Sequence, residues 1–315
     1  MSVAPLRLGI AGCGMVVERG YLPALAGLRD IRLAAVADPV RDRHRVAGGV
    51  PGYRKLEEML AAEHLEAVLI CSPPELHLEH AEACTAAGIP TLVEKPPGLS
   101  LDHACKLSAL RPEPAIGFNR RFAGGLPVGS RRVAAPSRVT AIFDAPPGDW
   151  DRGHCAADAL WDYGCHLVDL TCWIAAANPL RARAIDVSRS RASFEVEMTD
   201  GLRLHAECGV AAHYRELIDI RAVSGETRTW RWPPPAHRDV VARLGRRPSP
   251  LISSWRAQLR AFAGVVRGAS AGPLALAGEG IRVIAALEAV QASAAAGQDW
   301  VIVPAGPRRQ DELSG

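Results

Sequence analysis

What most limits the fold of this chain is a strand that runs straight into glycines and is followed, one crossover later, by a second strand ending in an acid. Leu6 to Ala11 is an unbroken apolar run, read as a buried strand, and it leads into Gly12-Cys13-Gly14-Met15-Val16-Val17. A helix is expected over Tyr21 to Leu28, with Pro23 near its start, and Ile31 to Ala37 is a second apolar strand closed by Asp38. Two such strands joined by a crossover lie parallel in one sheet. Glycines at the first turn let the backbone fold tightly and approach a pyrophosphate, whose charge then sits on a helix N-terminus. An acid after the second strand suits a ribose 2′-hydroxyl. The pattern points to a dinucleotide held by Gly12, Cys13, Gly14, Met15, Val16 and Asp38, against a purely structural strand–turn–helix. Val17 replaces the third glycine of that fingerprint. A carboxylate at Asp38 repels a 2′-phosphate and favours NAD, while Arg41 or Arg43 would compensate and admit NADP.

The alternation continues. Helices are expected over Leu56 to Ala62, Leu78 to Ala87 (closed by Gly88) and Leu101 to Leu110, between strands Ala67 to Cys71, Thr91 to Val93 and Ala115 to Gly117. This predicts a doubly wound parallel sheet, whose ligands sit in the crevice outside the carboxyl ends of the strands. Two segments fall there: Ser72-Pro73-Pro74, with His77 opening the next helix, and Glu94-Lys95-Pro96-Pro97. His77 reads either as a lining group of the crevice or as a plain helix-terminus histidine. Lys95 stands out by composition, since of 37 lysines and arginines only Lys55, Lys95 and Lys106 are lysines. A compact ammonium is not interchangeable with a guanidinium at a hydrogen-bonding site.

Composition shifts after Gly117, which suggests a cofactor domain over residues 1–118 and a substrate domain over 119–315. Consecutive strand-like runs, Arg181 to Val187, Ala192 to Met198, Leu202 to Cys208, Glu216 to Val223 and Glu226 to Trp232, join Arg138 to Asp144 in a mainly antiparallel sheet. A helix is expected over Ala157 to Ala177, two more over Ile252 to Arg267 and Glu279 to Ala295, and a last strand near Trp300 to Val303. Within the first of these helices, Asp162, His166 and Asp169 are spaced to share one face. Three titratable groups on a largely apolar helix suggest a stripe facing a cavity, with His166 exchanging a proton and a carboxylate one turn away fixing its tautomer.

Taken together, Gly12-Cys13-Gly14, Asp38, Ser72-Pro73-Pro74 with His77, Glu94-Lys95-Pro96, Gly117-Phe118-Asn119-Arg120-Arg121-Phe122 and Asp162 with Gly164-Cys165-His166-Leu167-Val168-Asp169 resemble the glucose–fructose oxidoreductase / inositol dehydrogenase (Gfo/Idh/MocA) family. The resemblance covers nearly the whole chain. It implies an N-terminal Rossmann dinucleotide-binding domain plus an α+β C-terminal domain with a large open sheet, and a catalytic set of Lys95, Asp162 and His166. It implies NAD(P)-dependent hydride transfer at a secondary alcohol of a sugar or cyclitol, with Ser72, Pro73, His77, Glu94 and Lys95 on the cofactor side. A redox-neutral NAD-dependent glycosidase, an imine reductase and a non-catalytic dinucleotide-sensing regulator are the alternatives within the same fold. Ala156, Ala157 and Asp158 replace glycines that often precede the aspartate.

Arg121 and Trp150 are the residues expected over the substrate: a guanidinium forks onto phosphate or carboxylate, and an indole stacks on a sugar. The alternative is an interdomain contact and a loop anchor. Net charge is only +3, with arginines spread along the chain, which argues against nucleic acid and anionic membranes. Eight cysteines without a CxxC pair read as reduced, buried small hydrophobes, and His154, Cys155, Cys165 and His166 match no common zinc spacing, so no metal is expected. With no signal-like or membrane-spanning run, a cytoplasmic protein is expected. Val187, Phe194, Val196 and Ile218 suggest an apolar sheet face closed by a homodimer or homotetramer.

Overall fold

The computed structural model describes residues 4–126, 135–147, 158–232 and 250–306. Its first sheet is built from β1 (Leu6–Ala11), β2 (Ile31–Ala37), β3 (Gly52–Tyr53), β4 (Ala67–Ile70), β5 (Thr91–Val93) and β6 (Ala115–Ile116), all parallel. The central strands β1, β4, β5 and β6 are short and buried almost throughout on both faces, as a parallel sheet covered by helices requires. Alternation decides the faces: Leu8, Ile10, Ala67 and Leu69 point into one core, Ala11, Val68 and Ile70 into the other.

Helices α2 (Leu56–Ala62), α3 (His77–Ala86) and α4 (Leu101–Ala109) cover one side of that sheet. Gly88, at φ +69°, ends α3 in the left-handed conformation that the sequence predicts for it. On the other side lies α1 (Leu22–Leu25), preceded by a π-turn over Val17–Tyr21. The chain is helical from Met15, so the glycines open directly into the helix, earlier than the expected start at Tyr21.

The second sheet carries β7 (Pro136–Ala145), β8 (Pro179–Val187), β9 (Arg191–Met198), β10 (Arg203–Val210), β11 (Arg215–Ala222) and β12 (Thr227–Trp232). With β14 (Val301–Ile302) at one edge, its order is β12-β11-β7-β10-β9-β8-β14, antiparallel except for the β7–β10 pair at its centre. Helix α5 (Cys165–Ala175), entered through a π-turn over Leu160–Gly164, packs on its inner face.

Two later elements return to the first sheet. Helix α6 (Pro250–Val266) lies beside α1, where Trp255, Leu259 and Phe262 join the core of Tyr21, Ala24 and Leu8. Strand β13 (Ala275–Leu276) pairs antiparallel with β6 and forms the sheet's edge. Helix α7 (Ala277–Ala295) then packs on both α4 and β8, and β14 (Val301–Ile302) closes the second sheet. The division at residue 118 therefore marks a change of sheet, while the chain crosses back at α6.

One expectation is corrected. Phe194, Val196 and Ile218 lie on the inner face of the second sheet and are buried within the core. The outer face is polar: Arg181 pairs with Glu197 at 2.8 Å, Arg183 with Glu195 at 2.6 Å, and both guanidinium groups stack over Trp300. Alternation along the strands sends most of the apolar residues to the inner side, with Leu180, Ile185 and Val210 left exposed. No helix among the described residues is long and apolar enough to cross a membrane.

Candidate active site

The glycine turn is shaped by what it must pass. Gly12 has φ +90°, and a Cβ there would stand 2.5 Å from the carbonyl oxygen of Cys71 at the end of β4. Around Gly14, by contrast, a Cβ would meet nothing within 4 Å, so the turn is open on the side away from the sheet. Met15 and Val16 begin the helix there, half-buried. The two carboxylate oxygens of Asp38 accept the backbone N–H of Cys13 and of Val40, each at 2.8 Å, which ties the turn to the end of β2. Arg43 lies 3.8 Å from the same carboxylate, and His44 Nε2 lies 2.8 Å from the Asp38 carbonyl. An open glycine turn leading into a helix, beside a fixed carboxylate, fits the pyrophosphate and ribose of a dinucleotide. Burial, with Asp38 adding to it, pushes the Cys13 thiol up to about 12, so it stays protonated.

Lys95 leaves the carboxyl end of β5 and reaches across to the second half of the molecule. Its Nζ donates to the Asp162 carboxylate and, at 3.0 Å, to the Asp162 carbonyl. Burial works to lower its pKa, but Asp162 outweighs burial and holds Lys95 above the ordinary lysine range. An ammonium has three protons; Asp162 takes two. Glu94 is buried beneath this loop, with Oε2 accepting the Lys95 N–H at 2.9 Å and Oε1 accepting from Tyr21 Oη at 2.6 Å. Its carboxyl therefore faces protein, and burial raises its pKa.

His77 is also interior. Its Nδ1 lies 3.0 Å from the Pro96 carbonyl and its Nε2 2.9 Å from the Ser72 carbonyl, so the ring braces the loops after β4 and β5. Burial brings its pKa down to about 4 despite those two carbonyls. The Ser72 hydroxyl lies 3.0 Å from His80 Nδ1, and Pro73 is exposed on the loop.

His166 on α5 is only 4% exposed, and its Nδ1 is buried without a hydrogen-bond partner among the described residues. Phe143 and Phe118 flank the ring, with centroids at 5.7 and 6.3 Å. Burial, then Lys95 and Arg120, hold the imidazole well below its ordinary pKa, so it is neutral at pH 7. The Asp162 carboxylate, expected to fix its tautomer, is bonded to Lys95.

Asp169 is engaged as well. Arg121 forks onto it, with Nη2 2.6 Å and Nε 2.9 Å from its oxygens, and reaches Glu279 at 3.1 Å. The side chains of Arg121 and Asp169 are each 1% exposed, so this pair joins the chain after β6 to α5 and α7 in the way of an interdomain contact. Arg120 is held likewise, 2.8 Å from Glu216 and 2.8 Å from Tyr214 Oη, between the rings of Phe143 and Trp232. Trp150 lies outside the described residues. Tyr21, Gln258, Tyr214 and Glu216 were not singled out from the sequence; their flanking sequence carries no signal, since Tyr21 follows Glu18-Arg19-Gly20 and Gln258 lies between Arg256 and Arg260.

Residues 6–113 match a family model described as "Oxidoreductase family, NAD-binding Rossmann fold". The rhizopine catabolism protein MocA of Rhizobium meliloti is 29% identical over 201 residues, 60% of this chain and 62% of that protein. An inositol 2-dehydrogenase of the same species is 32% identical over 37% of each chain. Inositol 2-dehydrogenase 3 of Saccharopolyspora erythraea is 25% identical over 86% of this chain and 88% of its own. The match thus spans about three fifths of the first of these relatives and under two fifths of the second. Among solved structures, scyllo-inositol dehydrogenase of Lactobacillus casei with bound NAD(H) and scyllo-inositol superposes with a TM-score of 0.79 at 17% identity, over 95% of this chain and 99% of that one. GenD2 from gentamicin A biosynthesis, in complex with NAD, superposes with a TM-score of 0.77 at 20% identity, over 97% and 98%. Both share the two-sheet fold.

Proposed function

The chain belongs to the Gfo/Idh/MocA family of oxidoreductases, and from that premise we propose an NAD(P)-dependent dehydrogenase or reductase acting on a secondary alcohol, or the matching ketone, of a sugar or cyclitol. The observation that carries this reading is the ion pair of Lys95 with Asp162 beside His166, formed where the carboxyl ends of the parallel strands meet α5. Gly12, Cys13, Gly14, Met15 and Val16 would hold the pyrophosphate, and Asp38 the ribose. The dinucleotide, when bound, would accept or supply the hydride.

The chain's own groups manage the proton and the oxygen. Lys95, protonated and steadied by Asp162, keeps one N–H for the substrate oxygen, where it stabilises developing alkoxide charge. Neutral His166 takes the hydroxyl proton in oxidation. As an imidazolium beside Lys95 and Arg120 it is a strong acid, suited to protonating the same oxygen in reduction. The guanidinium groups of Arg120 and Arg121 are both matched by internal carboxylates, which favours a neutral polyol over a phosphorylated one. Arg43 beside Asp38 softens the preference for NAD without reversing it. The reading includes a homo-oligomer in a carbohydrate pathway.

The decisive experiment follows absorbance at the reduced-nicotinamide band with NAD or NADP and a panel of cyclitols, free sugars and sugar phosphates. Turnover with a neutral polyol, abolished in His166→Ala that still binds NAD, is expected. Sugar release without any net absorbance change would point instead to the redox-neutral glycosidase, and full activity of His166→Ala would remove the proton role assigned to it.

A further inference from the structure

A line of buried polar groups runs under Lys95 and takes no part in the chemistry above. It starts at Tyr21, at the end of the π-turn that follows the glycines, 0% exposed and packed against Trp255 of α6 with ring centroids 5.9 Å apart. The hydroxyl has one proton and gives it to Glu94 Oε1 at 2.6 Å, so its oxygen is left to accept. Gln258 of α6, also 0% exposed, supplies that donor: its amide nitrogen stands 3.2 Å from Tyr21 Oη, and its amide oxygen accepts from the N–H groups of Asn119 at 3.2 Å and Phe118 at 3.3 Å. At the other end, Glu94 Oε2 accepts the Lys95 N–H at 2.9 Å.

The carboxyl of Glu94 has been given room on purpose of geometry: at Gly117 a Cβ would come within 3.0 Å of its Cδ. A buried carboxyl is a poor device for stability, because desolvation opposes it and an apolar side chain of like size serves as well or better. What an apolar side chain does not do is bond a backbone N–H and fix its direction. That N–H belongs to Lys95.

We propose that Tyr21 and Gln258 are positioning residues that act through Glu94 to set the backbone of Lys95 and thereby aim its ammonium. The proposal rests on Lys95 being the group that meets the reacting oxygen. It makes α6, far along the chain, a working part of the site. The line also reaches the N–H groups of Phe118 and Asn119, so the lysine and the start of the second half of the molecule take their register from one amide.

Three lysines in the whole chain make the test direct, because lysine labelled with 13C at Cε gives three resonances, and Lys95→Arg assigns one of them. In Tyr21→Phe the Lys95 resonance is expected to move while those of Lys55 and Lys106 stay. NAD affinity, titrated by protein fluorescence, should remain within about twofold, and kcat with myo-inositol should fall by about tenfold or more, since small misplacements of a catalytic group are expensive. Gln258→Met should shift the same resonance by less. A folded Tyr21→Phe with an unmoved Lys95 resonance overturns the proposal, and so does collapse of both variants, which would assign the line to stability alone. Should the wild type leave myo-inositol untouched, the dehydrogenase reading fails for that probe while the resonance still decides the positioning.

Discussion

Asp169 and His166 lie within one turn of each other on α5 and occupy opposite electrical surroundings. Asp169 is a buried carboxylate matched by the Arg121 fork; burial raises its pKa and Arg121 opposes that rise. Removing one partner of such a pair leaves the other charged in the interior, at a cost of about 3–5 kcal/mol. Asp169→Ala is therefore expected to lower the urea midpoint sharply, and Asp169→Leu combined with Arg121→Met to recover most of the loss; equal midpoints for the single and double variants would contradict the pairing. His166 and His77 set the acid limb. An unfolded imidazole titrates near 6.5, His77 is brought down to about 4, and His166 lies well below 6.5. With folded values depressed, the stability from keeping both rings neutral is fully present above pH 6.5. It is lost as pH falls from there through 4 and below, as the native rings are forced to take protons. Unfolding free energy should thus decline between pH 6.5 and 4, and His77→Gln should flatten that decline. Lys95 and His166 were legible from the sequence because a rare lysine and a histidine on an apolar helix are both anomalies against their backgrounds. The partner of Asp162 was not.

The reason lies at the level of elements. A regular α-helix would place Asp162 on the same face as His166, and the sequence offered no sign of anything else. Residues Leu160–Gly164 instead close as a π-turn, whose i→i+5 bonding departs from α-helical spacing, and Asp162 pairs with Lys95. The parallel sheet was readable strand by strand from its continuous apolar runs, down to the left-handed Gly88. The two-residue strands β3 and β13 were not, being too short for any periodicity, nor was the pairing of α6 with α1. That contact is tight: a Cβ on Gly20 would meet the Trp255 ring at 2.9 Å. Gly20→Ala is expected to cost about 1–3 kcal/mol by overpacking, seen as a lowered thermal midpoint, with Trp255→Leu in the same chain restoring part of it. A Gly20→Ala protein as stable as the parent would show that α6 yields freely.

For the whole molecule, the outer face of the second sheet is the surface left without cover among the described residues. Its Arg181–Glu197 and Arg183–Glu195 pairs and the exposed Arg203 and Arg191 present both signs of charge in rows, which two copies meeting about a twofold axis can interleave. Light scattering at micromolar concentration is expected to give a dimer or tetramer that loosens as salt is raised, because exposed charge pairs are screened. A single 33.6 kDa particle at low salt would end that expectation. The return of α6 and β13 to the first sheet has a consequence for the order in which the protein can be made. A ribosome delivers the strands of that sheet early, yet the helix that covers Tyr21 and Leu8, and the strand that closes the edge at β6, emerge only after residue 250. Until then the nascent first half presents an uncovered apolar face and an open edge, which is the condition that recruits chaperones or invites aggregation. Nascent chains stalled before residue 250 should therefore be sensitive to protease over the first sheet, and resistance should appear only in chains stalled late enough for Leu276 to have cleared the exit tunnel.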